Sequence, residues 1–379
     1  MNMQMVTGSL LLYRLTGSAA LLGTLSLAHA IPMIFLSMFG GAIADRLQKK
    51  QILFLGLLCS AVVSLGVAFP LTTGFLGQEN PGSWWILMVS SFVQGTIMGL
   101  MLPARQAIIP EIVSKEHAMN AIALNTLGMN VLRFLAPGVA GFLIDAFDFK
   151  AVYYAMTGMN LYAAVFIFFV PHTSRANISR GNILSDIRDA FEYIIHQRII
   201  LIILVFTLGV VILSMSYQQL LPIFVDDILK VGATGMGVLL SVSGIGAVVG
   251  SLVLASVPNK KRGVILLSSG LISGIFLIGF AFSSSWIPSV VFIVFIGLGQ
   301  TIRATSSNAL LQSYVEPGYM GRVMSVFMME WGLLSVCTFI AGLIAETIPV
   351  QWVIGGFAMA LSVLCILALA FLPSIRRLD

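Results

Sequence analysis

One stretch between two long apolar segments decides the fold: Phe39-Gly40-Gly41-Ala42-Ile43-Ala44-Asp45-Arg46-Leu47-Gln48-Lys49-Lys50-Gln51-Ile52. Its small residues allow a helix end to pack closely against a neighbouring helix. Asp45 and the cations Arg46, Lys49 and Lys50 then form a very short polar turn between two apolar spans. Because Lys and Arg in short loops are retained in the cytoplasm, this turn is predicted to be cytoplasmic.

The composition excludes a water-soluble globular protein. Hydrophobic residues make up 58% of the 379 positions and charged residues only 9%, whereas a soluble domain has about 25% charged residues. Cys59, Cys337 and Cys365 lie in apolar runs without a CxxC spacing, so we expect buried thiols and neither a metal site nor a disulfide. Because the sequence has no Walker motif, HExxH motif or nucleophile elbow, we expect neither an ATP-driven pump nor an enzyme, and no cofactor.

Eleven segments are long and apolar enough to cross a membrane, for which a helix needs about 20 residues. They are residues 19–44, 51–73, 84–103, 120–144, 150–171, 199–221, 234–257, 263–283, 286–309, 321–345 and 350–372. Residues 1–15 would supply only about 20 Å of helix, so we interpret them as the second half of a span that begins upstream. The sequence therefore predicts an all-α polytopic membrane protein with two six-helix bundles, the first helix being truncated in this chain. The expected domains are an N-terminal bundle at 1–172, a cytoplasmic linker at 173–198 and a C-terminal bundle at 199–379.

The cations of the connecting loops are concentrated on one side of the expected membrane. On that side lie Arg46, Lys49, Lys50, Lys115, Lys260, Lys261, Arg262, Arg322, Arg376 and Arg377. The opposite loops contain Arg14, Lys150 and Lys230 among a larger number of acidic residues. By the positive-inside rule, the C-terminus is predicted to be cytoplasmic.

The linker at 173–198 is polar, but apolar residues recur within it at helical spacing. They are Ile183, Leu184, Ile187, Phe191, Ile194 and Ile195. This pattern predicts an amphipathic helix along the cytoplasmic membrane surface; the alternative is a solvated linker.

The two halves of the chain resemble each other. Gly23 corresponds to Gly237 and Ser37 to Ser251, and further on Arg105 corresponds to Ser307 and the pair Ala140-Gly141 to Ala341-Gly342. An internal repeat about an axis along the membrane normal is one arrangement of secondary transporters.

Several motifs resemble those of the major facilitator superfamily. The decapeptide from Gly41 to Lys50 is similar to that family's signature between its second and third helices, with Gln48 where the pattern has glycine. Within the superfamily, residues 13–18, 103–111 and 120–125 resemble the enterobactin-exporter and macrolide-efflux branch. The resemblance implies a major facilitator fold, a location in the bacterial cell membrane, and alternating-access transport of a small molecule by a monomer.

Two motifs depart from the family pattern. Ser91 precedes Phe-Val-Gln94-Gly95 where the fourth-helix motif has arginine, so a coupling role of that arginine is not carried over. The fifth-helix antiporter motif is matched in part, at Pro137, Gly138 and Gly141. This helix-kink motif favours export.

Asp45 is the first candidate functional residue. The helix that begins near Arg322 is predicted to present its N-terminus on the same membrane face, where a helix dipole stabilises a carboxylate. Together Gly41, Asp45 and Arg322 would form a cytoplasmic latch. The alternative is a solvated turn charge that serves topology only.

Arg303 and Glu330 are ionisable residues at membrane depth, where a lone charge is costly. They are equidistant in sequence from the turn Glu316-Pro317-Gly318. In a helical hairpin they would lie at similar depth, close enough to pair or to compete for a proton or an anionic substrate. Gln300 and Ser307 share the helical face of Arg303. The alternative is a permanent structural pair.

Two further ionisable residues lie within expected spans. Arg133, with Asn125 and Asn130 on the same helix, would attract an anionic substrate or satisfy carbonyls released by Pro137. His29 is a candidate protonation switch, for which the alternative is a hydrogen-bonded core histidine.

The remaining cavity candidates are Gln94, Tyr217, Gln218 and Trp331. Polar and aromatic side chains of this kind suit a large, partly aromatic solute. The sequence thus favours an exporter of a siderophore-like or drug-like amphipathic molecule, with protons as coupling ion, the lipid bilayer as surroundings and no nucleic-acid partner. A nutrient-uptake symporter and a transport-inactive sensor or partner protein are the alternatives.

Overall fold

A computed structural model describes residues 2–46, 48–77, 79–114, 117–171, 191–257, 261–316, 319–376 and 378. These residues are almost entirely helical, and no strand occurs among them. The helices of the first half are α1 (Asn2–Thr16), α2 (Ala19–Arg46), α3 (Lys49–Thr72), a 3₁₀ turn (Pro81–Trp84), α4 (Trp85–Ile112) and α5 (Ala118–Phe169).

The helices of the second half are shorter and include several breaks. They are α6 (Arg198–Met215), α7 (Tyr217–Ile223), a π-helical segment (Phe224–Leu229), α8 (Gly232–Ser256), α9 (Arg262–Ala281), α10 (Trp286–Tyr314), α11 (Met320–Met328), α12 (Glu330–Ala345), α13 (Val350–Phe371) and α14 (Pro373–Arg376).

Ten helical segments of the described chain are long and apolar enough to cross a membrane. One of them, Leu124–Phe169, covers most of two of the eleven predicted spans, 120–144 and 150–171. The 52-residue helix α5 would be about 78 Å long if it were straight, more than twice the thickness of a hydrocarbon core. At Asp148 its backbone is non-helical, with φ 75° and ψ 168°. The predicted boundary between residues 144 and 150 is therefore confirmed.

The chain forms two compact units. Unit 1 comprises Met1–Ser179 together with Gly232–Gly237, and unit 2 comprises Arg180–Val231 together with Val238–Asp379. Helix α8 therefore begins in unit 1 and continues in unit 2.

Unit 1 packs α2 against α4 and α3 against α5. Glycine makes the first of these contacts possible, because a Cβ on Gly95 would collide with the backbone carbonyl of His29. In unit 2, a Cβ on Gly297 would collide in the same way with the carbonyl of Ser243. The sequence separation between His29 and Ser243 equals that between Gly23 and Gly237, which correspond in the two halves. The separation between Gly95 and Gly297 likewise equals that between Arg105 and Ser307. This correspondence supports the internal repeat.

The outer surface of the helices is apolar. Bulky side chains such as Phe35, Phe69, Phe169 and Phe371 are 63–77% exposed, which in a membrane places them against lipid. Cys365 is buried but Cys59 is exposed. The prediction of a buried thiol is therefore wrong for Cys59, because α3 turns this residue away from the interior of its unit.

Most of the predicted linker helix lies outside the described residues, which resume at residue 191. Residues 191–196 are helical. Ile194 is 3% exposed and packs into a core of unit 2 that includes Val323 and Phe327. The ring of Tyr193 stacks on that of Tyr319 at 4.1 Å, and its hydroxyl accepts a hydrogen bond from the Glu316 backbone N–H at 3.2 Å. The end of the linker is thus docked on unit 2.

Candidate functional site

The central feature of unit 2 is a buried pair of opposite charges. Nη1 of Arg303 on α10 lies 3.9 Å from Oε2 of Glu330 on α12. Arg303 is 3% exposed and Glu330 7% exposed. The expectation that these side chains lie close enough to pair is met by this geometry. Their role in coupling stays a prediction.

Single residues separate α11 from α12 and α6 from α7, and both keep helical backbone angles. Met329 lies within the predicted span 321–345 directly before Glu330, with φ −64° and ψ −16°. Ser216 separates α6 from α7.

Polar side chains of α10 reach neighbouring helices on the same side as Arg303. Nε2 of Gln300 donates a hydrogen bond to the carbonyl of Ser214 at 3.3 Å. The hydroxyls of Ser307 and Thr207 lie 3.2 Å apart. The predicted common face of Gln300, Arg303 and Ser307 is therefore polar and faces α6 and α12.

Several buried polar atoms in this region have no hydrogen-bond partner among the described residues. They are Nε and Nη1 of Arg303, Oε2 of Glu330, and the hydroxyls of Ser214 and Ser306. Tyr217 is 2% exposed, and Gln218 and Ser243 lie beside its hydroxyl. We call Arg303, Glu330, Gln300, Tyr217, Ser214 and Ser306 the polar cluster. Buried polar atoms are nearly always hydrogen-bonded, so this cluster is suited to a polar solute, water or a proton.

Unit 1 contains a smaller polar region between α2, α3 and α4. Nε2 of Gln94 donates to the hydroxyl of Ser60 at 3.3 Å, and Nδ1 of His29 lies 3.3 Å from the carbonyl of Ser91. Gln94 Oε1 and His29 Nε2 are buried without a partner in the described chain. His29 thus makes one core hydrogen bond and keeps one ring nitrogen available.

The candidates on α5 are placed differently. Asn125, Asn130 and Arg133 are exposed, so the structure does not bring them into either buried polar region. Pro137 is buried within the helix. Gly138 and Gly141 lie against the beginning of α8, at Gly237 and Ala233 respectively.

The residues of the predicted cytoplasmic latch lie largely outside the described side chains. This applies to Gly41, Asp45, Arg46 and Arg322, and also to the cavity candidate Trp331. Lys49 is buried, with 3% exposure, although a turn cation was expected there. The Lys50 ammonium lies 5.5 Å from the centre of the Phe168 ring, a distance at which a cation–π interaction is favourable.

Sequence analysis missed the hydroxyls of Ser214 and Ser306. Serine is common in membrane helices, where its hydroxyl usually bonds to a carbonyl in the preceding turn. Only the structure distinguishes the hydroxyls that lack such a bond. Among the described residues, no group of three or more His, Cys, Asp or Glu side chains converges in a way that could hold a metal ion.

Apolar helices of spanning length that enclose a buried charged pair define a polytopic membrane protein. The profile of the Major Facilitator Superfamily matches residues 1–337. The chain belongs to this superfamily, and its relatives are membrane transporters.

Two relatives match almost the full chain. The Staphyloferrin A transporter of Staphylococcus aureus is 25% identical over 92% of this chain and 86% of its own length. Macrolide efflux protein A of Streptococcus pyogenes is 22% identical over 96% of this chain and 90% of its own length. Together with the apolar helices, these relatives identify a multi-pass bacterial membrane protein, and the resemblance to the macrolide-efflux branch is confirmed.

Solved structures share the fold. The peptide transporter POT superposes with a TM-score of 0.75 at 14% identity, covering 100% of this chain and 93% of its own. The D-xylose-proton symporter superposes with a TM-score of 0.71 at 12% identity, covering 96% of this chain and 95% of its own. The major facilitator fold predicted from sequence is confirmed.

Proposed function

We propose that this protein is a secondary active transporter that exports a small amphipathic molecule, siderophore-like or drug-like, in exchange for protons. The observation that carries the proposal is the buried pair of Arg303 and Glu330 with its unpartnered polar atoms. A carboxylate that alternates between an arginine partner and a proton changes the charge of the cluster by one unit. One charge crossing 100 mV releases about 2.3 kcal/mol, which is sufficient to drive moderate accumulation.

The relatives support export and the chemical class of the cargo. One is named as a transporter of staphyloferrin A and another as a macrolide efflux protein. The polar cluster combines an aromatic side chain with charged and amide groups, which suits a partly aromatic, polar solute. We further propose that the C-terminus is cytoplasmic, that the protein acts as a monomer, and that Asp45 and Arg322 form the cytoplasmic latch.

Proteoliposomes that contain the purified protein test this function. The probes are staphyloferrin A and the macrolide erythromycin, with a proton gradient imposed across the liposome membrane. We expect at least one probe to move against the direction of proton flow and this movement to stop when an ionophore collapses the gradient. Movement in the same direction as protons would establish symport instead. Movement that does not depend on the gradient would contradict the coupling of transport to protons.

A matched pair of variants assigns the proton step. Glu330→Gln is expected to abolish the dependence on the proton gradient, because the amide cannot take up or release a proton. Glu316→Gln removes an exposed carboxyl from the turn of the same hairpin and is the control. If both variants retain proton-driven transport, Glu330 is not the proton carrier.

A further inference from the structure

Residues 373–376 and 378, which follow α13 and which we call the tail segment, dock on the beginning of α9. The carbonyl of Leu378 accepts a hydrogen bond from the backbone N–H of Gly263 at 3.1 Å. Gly263 lies in the first turn of α9, where backbone N–H groups have no partner within the helix. A Cβ on Gly263 would collide with the carbonyl of Ile375, so glycine permits this close approach. Ile375 and Leu378 are buried, and the tail segment is therefore a packed part of unit 2.

The tail segment also lies beside the end of the linker. Helix α14 packs against both α6 and α9, and Ile375 shares a hydrophobic core with Ile194 and Ile200. Ile194 belongs to the helical residues 191–196, and Ile200 lies in the first turn of α6. The linker end, the beginnings of α6 and α9, and the tail segment thus meet at one end of unit 2.

Cations are concentrated at this end of unit 2. Arg198 on α6 and Arg376 on α14 are exposed, and Lys261 and Arg262 lie at the beginning of α9. Nη1 of Arg376 donates a hydrogen bond to the carbonyl of Leu369 at 3.3 Å, which places the guanidinium beside the end of α13. Because a guanidinium has five N–H donors, this contact leaves donors of Arg376 for a ligand.

Bulky apolar side chains are exposed next to these cations. Phe191 and Ile195 are 43% and 64% exposed. Their spacing of four residues places them on one face of the linker end, whereas Ile194 is turned into the core. Phe371, at the end of α13, is exposed as well. An apolar face beside cations is typical of a helix that lies at the boundary between the headgroups and the acyl chains of a bilayer.

We propose that this end of unit 2 binds anionic phospholipids such as phosphatidylglycerol. Arg198 and Arg376 bind the lipid phosphate, because a guanidinium group matches phosphate oxygens with paired hydrogen bonds. Phe191 and Ile195 contact the upper part of the acyl chains. The loop charges predict that this end is cytoplasmic, and the cytoplasmic leaflet attracts basic segments through its anionic lipids. The inference goes beyond the proposed transport and does not depend on its direction or coupling.

Lipid binding to the purified full chain tests the proposal. Native mass spectrometry in detergent gives the Kd of phosphatidylglycerol, of zwitterionic phosphatidylcholine with the same acyl chains, and of soluble glycerol 3-phosphate. We expect phosphatidylglycerol to bind about tenfold more tightly than phosphatidylcholine, and glycerol 3-phosphate to bind more weakly than either lipid. Equal affinity for the two lipids overturns the proposal. Tight binding of glycerol 3-phosphate overturns it too, because the site would then be one for soluble anions.

Substitution of the two exposed arginines tests which groups hold the headgroup. Arg198→Gln and Arg376→Gln are each expected to weaken phosphatidylglycerol binding about fivefold and to leave phosphatidylcholine binding unchanged. Arg376→Lys keeps the charge and should retain most of the affinity. Lys230→Gln is the matched control, because Lys230 is exposed and follows the opposite end of the span Arg198–Leu229. Unchanged binding in both arginine variants, or an equal loss in Lys230→Gln, overturns the site.

Gly263→Ala separates a docked site from net charge alone. The variant keeps every cation, but its Cβ collides with the carbonyl of Ile375, so the tail segment should be displaced and phosphatidylglycerol binding weakened. Gly356→Ala, which has open space around it, is the control and should bind like the parent. Unchanged binding in Gly263→Ala would overturn the part that the docked tail segment has in the site. The thermal unfolding midpoint shows whether each variant is folded, and the arginine variants change only exposed side chains.

Discussion

Neutralising Glu330 is expected to destabilise the protein more than neutralising Arg303. In Glu330→Gln, the guanidinium of Arg303 stays charged, because arginine does not lose its proton in proteins. In Arg303→Gln, the stranded carboxylate can take up a proton and become neutral. The two single variants therefore leave different chemical species in a site where both side chains are less than 10% exposed.

The distance between the charges sets the magnitude. At 3.9 Å, two opposite charges attract each other by about 4 kcal/mol with an effective dielectric constant near 20. Removal of one member of a buried pair costs about 3–5 kcal/mol, because the other charge is left without compensation. We expect Glu330→Gln to lie in this range and Arg303→Gln to lie below it.

The double variant Arg303→Gln/Glu330→Gln separates stability from function. It leaves no buried charge, so its thermal unfolding midpoint in detergent should recover most of the loss, with a coupling free energy of about 1–3 kcal/mol. Its transport activity should stay lost, because neither a charge nor a proton site is left. The exposed carboxyl variant Glu316→Gln serves as the stability control. An unchanged midpoint in Glu330→Gln, or a double variant as damaged as the sum of the single ones, would contradict the reasoning.

Two further predictions concern packing. In a thermal unfolding assay, Gly95→Ala should lower stability by about 1–3 kcal/mol, because the added methyl group meets a backbone carbonyl of α2. Gly66 has open space around it, so the control variant Gly66→Ala should be neutral or slightly stabilising. Tyr193→Ala should loosen the end of the linker, seen as faster amide exchange in residues 191–196, because it removes the stack on Tyr319. Tyr193→Phe keeps the ring stack and loses only the hydrogen bond from the Glu316 N–H, so it should increase amide exchange less. An equal increase in both variants would show that the ring stack does not hold the end of the linker.

Much of the candidate site was predictable because it depends on local geometry. Arg303 and Glu330 are equally distant from one turn, and two antiparallel helices bring such positions to the same depth. The common polar face of α10 follows from helical periodicity in the same way. The burial of Lys49 and the exposure of Cys59 were not predictable, because both depend on which side of a helix meets its neighbours.

The sequence by itself determined the membrane-spanning segments and the superfamily, and it predicts the orientation of these segments from the loop charges. These properties follow from apolar length and from motifs within a single segment. Only the tertiary structure decided which hydroxyls lack a partner and that Asp145 binds an N–H group 88 residues away. The physical reason is that a buried hydroxyl or a capped helix end meets groups from distant parts of the chain, and no local pattern records which groups will meet.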